Sequence, residues 1–215
     1  MTTDPSPDLT APGRRLLLVD DDRLVLATLA SGLTAAGFAV TTAESAEDAE
    51  AWLAGGARPD LAILDVRMPG QGGLALAQRL RELDHIPFMM LSAYSDPHLV
   101  EQATACGALG YAVKPQDIAQ LVPAIGTALA RADELQDLRA TRQQLQAALD
   151  AERNISVAVG IIMMQQHRQR DDAFAMLRQL ARSQRCKLAV LAEQTIQAAE
   201  KLNSFANNNC VDLSQ

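Results

Sequence analysis

A chain of 215 residues, 48% hydrophobic and 21% charged, holds enough apolar surface for one or two domains, which excludes wholesale disorder. No apolar run approaches the ~20 residues needed to cross a bilayer. The opening residues 1–13 (MTTDPSPDLTAPG) carry Asp and Pro where a secretion signal requires basic and then apolar residues, so they are expected to form a disordered leader.

The formal charge of −7 is unevenly spread. Residues 1–138 hold 9 Lys/Arg against 19 Asp/Glu, whereas residues 139–215 hold 10 against 7. An acidic module is joined to one able to approach a polyanion, although so small an excess also suits an ordinary solvated surface. Cys106, Cys186 and Cys210 are widely spaced and accompany only three His, a pattern of neither a zinc site nor a disulfide framework. A reducing, cytoplasmic setting is the expectation.

From Arg15 to Lys114, short apolar runs alternate with amphipathic stretches. Strands are predicted at 16–20, 38–43, 61–65, 87–92 and 110–113, and helices near 23–36, 46–55, 72–83 and 97–106, with Gly37, Gly73 and Gly107 at helix ends. Near-continuous apolar strands separated by helices imply a parallel sheet covered on both faces, a doubly wound α/β fold. Its ligands bind at the carboxyl ends of the strands.

After Lys114 the pattern becomes helical. Leu135, Leu138, Arg142, Leu145 and Leu149 alternate three and four apart, a coiled-coil seam of about two heptads with one Arg in a core position. The alternative is a helix packed on its own domain. Three further helical stretches follow. The first continues to His167 with Ile155, Ala158, Val159 and Ile162 on one face. The second opens at Asp171-Asp172 and buries Phe174, Leu177 and Ala181. The third runs from about Leu188 to Leu202, burying Leu188, Leu191, Ala192, Thr195 and Ile196. Gly160 is expected at a close helix–helix approach, Met163 and Met164 as core filler. The tail from Asn203 reads as frayed.

Chemistry-bearing residues converge on the strand ends: Asp20, Asp21 and Asp22 after the first strand, Asp65 at the end of the third, Ser92 at the end of the fourth, Lys114 after the fifth. A single strand-end Asp is ordinarily a helix cap, and a Lys-Pro after a strand is ordinarily a turn. In a sheet ordered 2-1-3-4-5, however, these groups share one pocket. Clustered carboxylates repel one another unless a cation is present, and Mg²⁺, which takes carboxylates plus waters, relieves that repulsion. The Lys114 ammonium and Ser92 hydroxyl are suited to a phosphoryl anion.

The stretches LLLVDDD (16–22), LAILDVRMPG (61–70), MLSAY (90–94) and GYAVKP (110–115) together resemble the receiver domain of two-component response regulators, a flavodoxin-like fold. The resemblance implies that Asp65 is the phosphoacceptor for a sensor histidine kinase. It further implies that Asp20, Asp21, Asp65 and the Arg67 backbone carbonyl hold Mg²⁺, that Ser92 and Tyr111 are switch residues, and that Lys114 pairs with the phosphoryl group. A cis Lys114-Pro115 bond is implied as well. Asp22 falls outside the metal pair unless the register slips by one.

Farther on, AVGIIM (158–163), DDAFAMLRQLA (171–181) and LAVLAEQTI (188–196) resemble the ANTAR family of RNA-binding antiterminators, with Val159 where many members carry Lys. Arg168, Arg170, Arg178, Arg182, Arg185 and Lys187 are the candidate RNA contacts, and Arg178, Arg182 and Arg185 are spaced to share one side of the helical hairpin. A helix-turn-helix recognition helix is disfavoured because the last helix presents Glu193, Gln194, Gln197 and Glu200. No nucleophile–base or metal constellation follows residue 116, so the chain is read as a regulator and not an enzyme.

The expected organisation is a leader over 1–13, a receiver over 14–130, a coiled-coil linker over 131–153, a three-helix RNA-binding domain over 154–202 and a flexible tail over 203–215. The expected function is phosphorylation-controlled binding of structured stem-loop RNA and transcription antitermination, with homodimerisation on activation and no membrane partner. The alternatives are a DNA-binding regulator and a relay acting through protein contacts.

Overall fold

The computed structural model describes residues 13–70, 72–93, 96–114 and 117–209. The implied cis bond to Pro115 and Cys210 lie outside these residues, as do residues 1–12 of the leader and 210–215 of the tail. The chain divides into two compact units, with the boundary between Asp137 and Leu138.

The first unit is a five-stranded parallel sheet in the order β2-β1-β3-β4-β5. The strands are β1 (Arg15–Val19), β2 (Ala39–Ala43), β3 (Leu61–Asp65), β4 (Phe88–Ser92) and β5 (Tyr111–Val113). The connecting helices are α1 (Arg23–Ala35), α2 (Ala46–Ala54), α3 (Gly72–Arg79) with a π-helical extension at Leu80–Asp84, and α4 (Pro97–Ala105).

Strand alternation sorts the apolar side chains onto two faces. Leu17, Val19, Ala62, Leu64, Phe88 and Met90 pack with residues of α2, α3 and α4, whereas Leu16, Leu18, Ile63, Met89 and Leu91 pack with residues of α1 and of α5 (Ile118–Gln166). β3 and β4 are buried along their whole length, which is why they read as unbroken apolar runs. Each fully buried Leu, Ile or Met here is worth ~1.5–3 kcal/mol relative to exposure.

Gly37 and Gly107 close α1 and α4 with φ of +98° and +86°, conformations a side chain would strain. Gly73 stands at a helix end as its spacing predicts, the N-terminal one: it lies in the first turn of α3.

α5 is a single helix of 49 residues that runs through Pro123, Gly126 and Gly160 without a loop. From Glu134 to Asp150 every residue is exposed. The predicted seam therefore stands in solvent: Leu135 is 42% exposed, Leu138 60%, and Leu145 and Leu149 62% each.

The second unit adds α6 (Arg170–Ser183) and α7 (Leu188–Asn209) to the end of α5. Its core is small: Ala158, Val159, Ile162, Ala173, Leu177, Ala181, Leu191 and Ala192, with Ile155, Met163, Leu188 and Ile196 packed against it.

Several expectations are corrected here. Phe174, predicted to be buried, is 40% exposed, and Met164 is 80% exposed. Both fall just outside the stripe that a three-helix contact covers. Gly160 makes no close helix–helix approach: among the described residues, a Cβ there would meet no atom of another element within 4 Å. The tail does not begin at Asn203, because α7 continues to Asn209. The turns into α6 and α7 place His167 and Arg185 at φ of 52° and 53°, the left-handed conformation usual at a helix C-terminus but more often taken by Gly.

Candidate functional site

Strand register builds the pocket. Val19 pairs with Leu64, so the next residues, Asp20 and Asp65, leave the sheet side by side. Asp65 pairs with Leu91 and Ser92 with Val113, and the Lys114 backbone N–H donates to the Ser92 carbonyl at 2.6 Å. One edge of the sheet thus gathers Asp20, Asp21, Asp65, Ser92 and Lys114.

Burial separates their roles. Asp20 (0% exposed), Asp65 (5%) and Ser92 (1%) are the buried polar side chains of the described residues, while Asp21 is exposed. Lys114 bridges the two buried carboxylates: its Nζ pairs with Asp20 Oδ2 and lies 3.1 Å from Asp65 Oδ1. Carboxylate oxygens of Asp20, Asp21 and Asp65 lie within 4.8 Å of one another. That all-oxygen donor set fits a hard dication.

Burial pushes the Asp65 carboxyl above the ordinary aspartate range, and repulsion from Asp20 and Asp21 adds to it; the hydrogen bond and charge of Lys114 oppose the shift without cancelling it. Burial alone would lower Lys114, but its hydrogen bonds to Asp20 and Asp65 and their negative charges hold it above the usual lysine value. The lysine is therefore fully charged at neutral pH, positioned between two anions.

Asp22 has a separate task. Its side chain accepts from the backbone N–H groups of Leu24 and Val25 at 2.8 and 3.2 Å, capping α1, while its own N–H donates to Asp20 Oδ1 at 3.0 Å. The run of three aspartates is thus divided between a pocket and a cap. Arg67 is exposed two residues beyond Asp65, and Tyr111 is half-buried at the start of β5, packed against the α2–α4 side of the core.

Sequence reasoning missed Gly73 as a site residue. A Cβ built there would fall 1.8 Å from the Asp65 backbone oxygen and 3.3 Å from Val66 Cα. The first turn of α3 lies against the residue that ends β3, and only hydrogen fits between them. The one available signal was the paired Gly72-Gly73 just past the strand-end loop.

In the second unit, Arg168, Arg170, Arg178, Arg182, Arg185 and Lys187 are all exposed, and none forms an ion pair among the described residues. They do not form one cluster. Arg168 and Arg170 lie at the start of α6, and Arg185 and Lys187 at its far end, about 20 Å away at 1.5 Å per residue. Arg178 and Arg182 follow one another on a single exposed side. Glu193, Gln194, Gln197 and Glu200 are exposed on α7, as expected.

The model of the response regulator receiver domain matches residues 16–126, and that of the ANTAR domain matches residues 143–196. The chain belongs to the receiver–ANTAR response regulators. This response regulator is 32% identical over 197 residues to the transcriptional regulatory protein PdtaR of Mycobacterium tuberculosis, covering 91% of this chain and 96% of that one. It is also 40% identical over 119 residues to the transcriptional regulatory protein PrrA of Mycobacterium leprae, covering 54% of this chain and 50% of that one.

Among solved structures it is similar to a response regulator from Chloroflexus aurantiacus (34% identity, TM-score 0.52, 55% of this chain and 98% of that one). It is similar too to the N-terminal domain of a response regulator/sensory box/GGDEF protein from Carboxydothermus hydrogenoformans (27% identity, TM-score 0.52, 56% and 97%). Membership makes the chain a regulator. Among the described residues no helix is long and apolar enough to cross a membrane.

Proposed function

We propose that Asp65 accepts a phosphoryl group from a sensor histidine kinase and that this event controls binding of structured leader RNA by the C-terminal helices, promoting transcription antitermination. The observation that carries the reading is the charged Lys114 held between buried Asp20 and Asp65, in a chain whose other end matches the ANTAR domain.

In the transfer, an Asp65 carboxylate oxygen attacks phosphorus, the bond from phosphorus to the kinase's histidine nitrogen breaks, and that nitrogen leaves with the electron pair. Asp20, Asp21 and Asp65, with the Arg67 carbonyl, would hold Mg²⁺, which supplies positive charge against the phosphoryl oxygens. The product carries about −1.5 to −2 charges where one stood. Lys114, already within reach of Asp65, re-pairs with a phosphoryl oxygen, and the Ser92 hydroxyl donates to another. Tyr111 follows as the strand ends adjust.

On the output side, unpaired exposed arginines suit RNA phosphates, and the acidic exposed face of α7 does not suit insertion in a DNA groove. The seam Leu135–Leu138–Leu145–Leu149 suits a homodimer able to grip two stem-loops, and Arg142 in its core keeps it weak enough to respond to a signal. We assign 14–130 to the receiver, 131–153 to the linker and the residues from 154 through the end of α7 to the output domain; the boundary between the two compact units, after Asp137, falls within that linker.

Incubation with acetyl phosphate, Mg²⁺ and a library of structured leader RNAs, with Asp65→Asn as control, tests the reading. RNA capture by the phosphorylated protein and not by the variant is expected. Salt-dependent binding to duplex DNA without hairpin RNA binding would overturn it.

A further inference from the structure

The second unit leaves its largest described apolar side chain outside its core. Five of the core positions are alanine or valine, and α6 turns Ala173, Leu177 and Ala181 inward. Phe174 stands beside that stripe, 40% exposed and outside the packed cluster. A phenylalanine buries roughly 150–250 Å² when enclosed, so a core this small would gain from taking it in.

What surrounds Phe174 on the helix explains the placement. Arg170 precedes it by four residues, and Arg178 and Arg182 follow at four and eight, so the ring lies within a row of guanidinium groups on one exposed side. None of these arginines is ion-paired among the described residues. Asp171, three positions before Phe174, puts a negative charge at the N-terminal end of that side, which leaves Arg178 and Arg182 as its cationic end.

An apolar groove on a protein partner would match the ring but not three unpaired cations. A nucleic-acid strand matches both: the ring stacks on an unpaired base, and the guanidiniums hold the phosphates either side of it. We propose that Phe174 is the base-stacking platform of this response regulator, receiving one unpaired loop base of an RNA hairpin while Arg178 and Arg182 hold the adjoining backbone. The inference rests on the RNA-binding reading and adds to it the residue that distinguishes a looped strand from a paired one.

The test uses the full chain, activated with acetyl phosphate, and two probes: a hairpin RNA pool with loops randomised in length and sequence, and a blunt RNA duplex with a matching number of phosphates. Phe174→Leu keeps an apolar side chain without a π-face, and Phe174→Trp keeps the face. The leucine variant should bind hairpins at least about five-fold more weakly, the low end for one base–aromatic stack. The tryptophan variant should bind as wild type does, and duplex binding and melting temperature should not change.

Equal hairpin affinity for Phe174→Leu and wild type would overturn the inference, as would parallel loss of hairpin and duplex binding, or a loss of self-association with RNA affinity intact. Absence of any RNA binding by the wild-type protein would instead sink the RNA-binding reading, and this inference with it.

Discussion

Asp65 is a carboxylate placed where ionisation is disfavoured, and that placement should be measurable as lost stability. Its pKa is raised on folding, so its contribution is most favourable below the ordinary aspartate value of 3.8 and is lost as pH rises through the folded-state value. Replacing Asp65 by Asn leaves Lys114 its Asp20 partner and removes the penalty. In metal-free buffer at neutral pH the variant should be more stable by on the order of 1 kcal/mol, the difference shrinking as pH falls toward 3.8. Thermal melts across that range check it; a variant that melts lower at pH 7 would count against the account. Lys114, also raised, follows the same sign in a far more alkaline window: its stabilisation is complete below 10.5 and declines only as pH rises above it. Gly73 completes the residue scale. Gly73→Ala drives a methyl into the Asp65 carbonyl, and overpacking of this kind costs about 1–3 kcal/mol. Slower phosphorylation by acetyl phosphate should accompany the lowered denaturation midpoint.

At the scale of elements, α1 shows how one run of like residues serves two ends. Asp22→Ala removes the α1 cap and should cost about 1 kcal/mol while leaving Mg²⁺ affinity, read by titration, nearly unchanged; a large loss of Mg²⁺ binding would assign Asp22 to the pocket instead. The central strands were legible in the sequence because parallel strands buried on both faces are unbroken apolar runs such as LAILD and PFMML; their order came from the doubly wound fold those runs imply. The pocket was legible for the same reason, since strand ends in a doubly wound sheet converge on one edge. Gly73 was not, because close approach of α3 to Asp65 depends on where a helix lies and not on what its own residues prefer. Phe174 and Met164 were misplaced because helical spacing gives the direction of an apolar stripe and not its width. In a unit with an alanine-rich core that stripe is narrow.

At the scale of the whole molecule, α5 presents four exposed leucines that a second chain would cover. Leu145→Lys should abolish self-association of the phosphorylated protein in sedimentation while leaving its phosphorylation unchanged; persistence of the dimer would remove the seam from the account. Coupling between the two ends is the central claim, and it is tested most directly by one measurement. Fluorescence anisotropy of a labelled leader hairpin, titrated with wild type and Asp65→Asn in Mg²⁺ with and without acetyl phosphate, reads it. The account predicts affinity rising at least about ten-fold on phosphorylation of the wild type, a shift of ~1.4 kcal/mol, and no change in the variant. Equal affinities in all four titrations would contradict it.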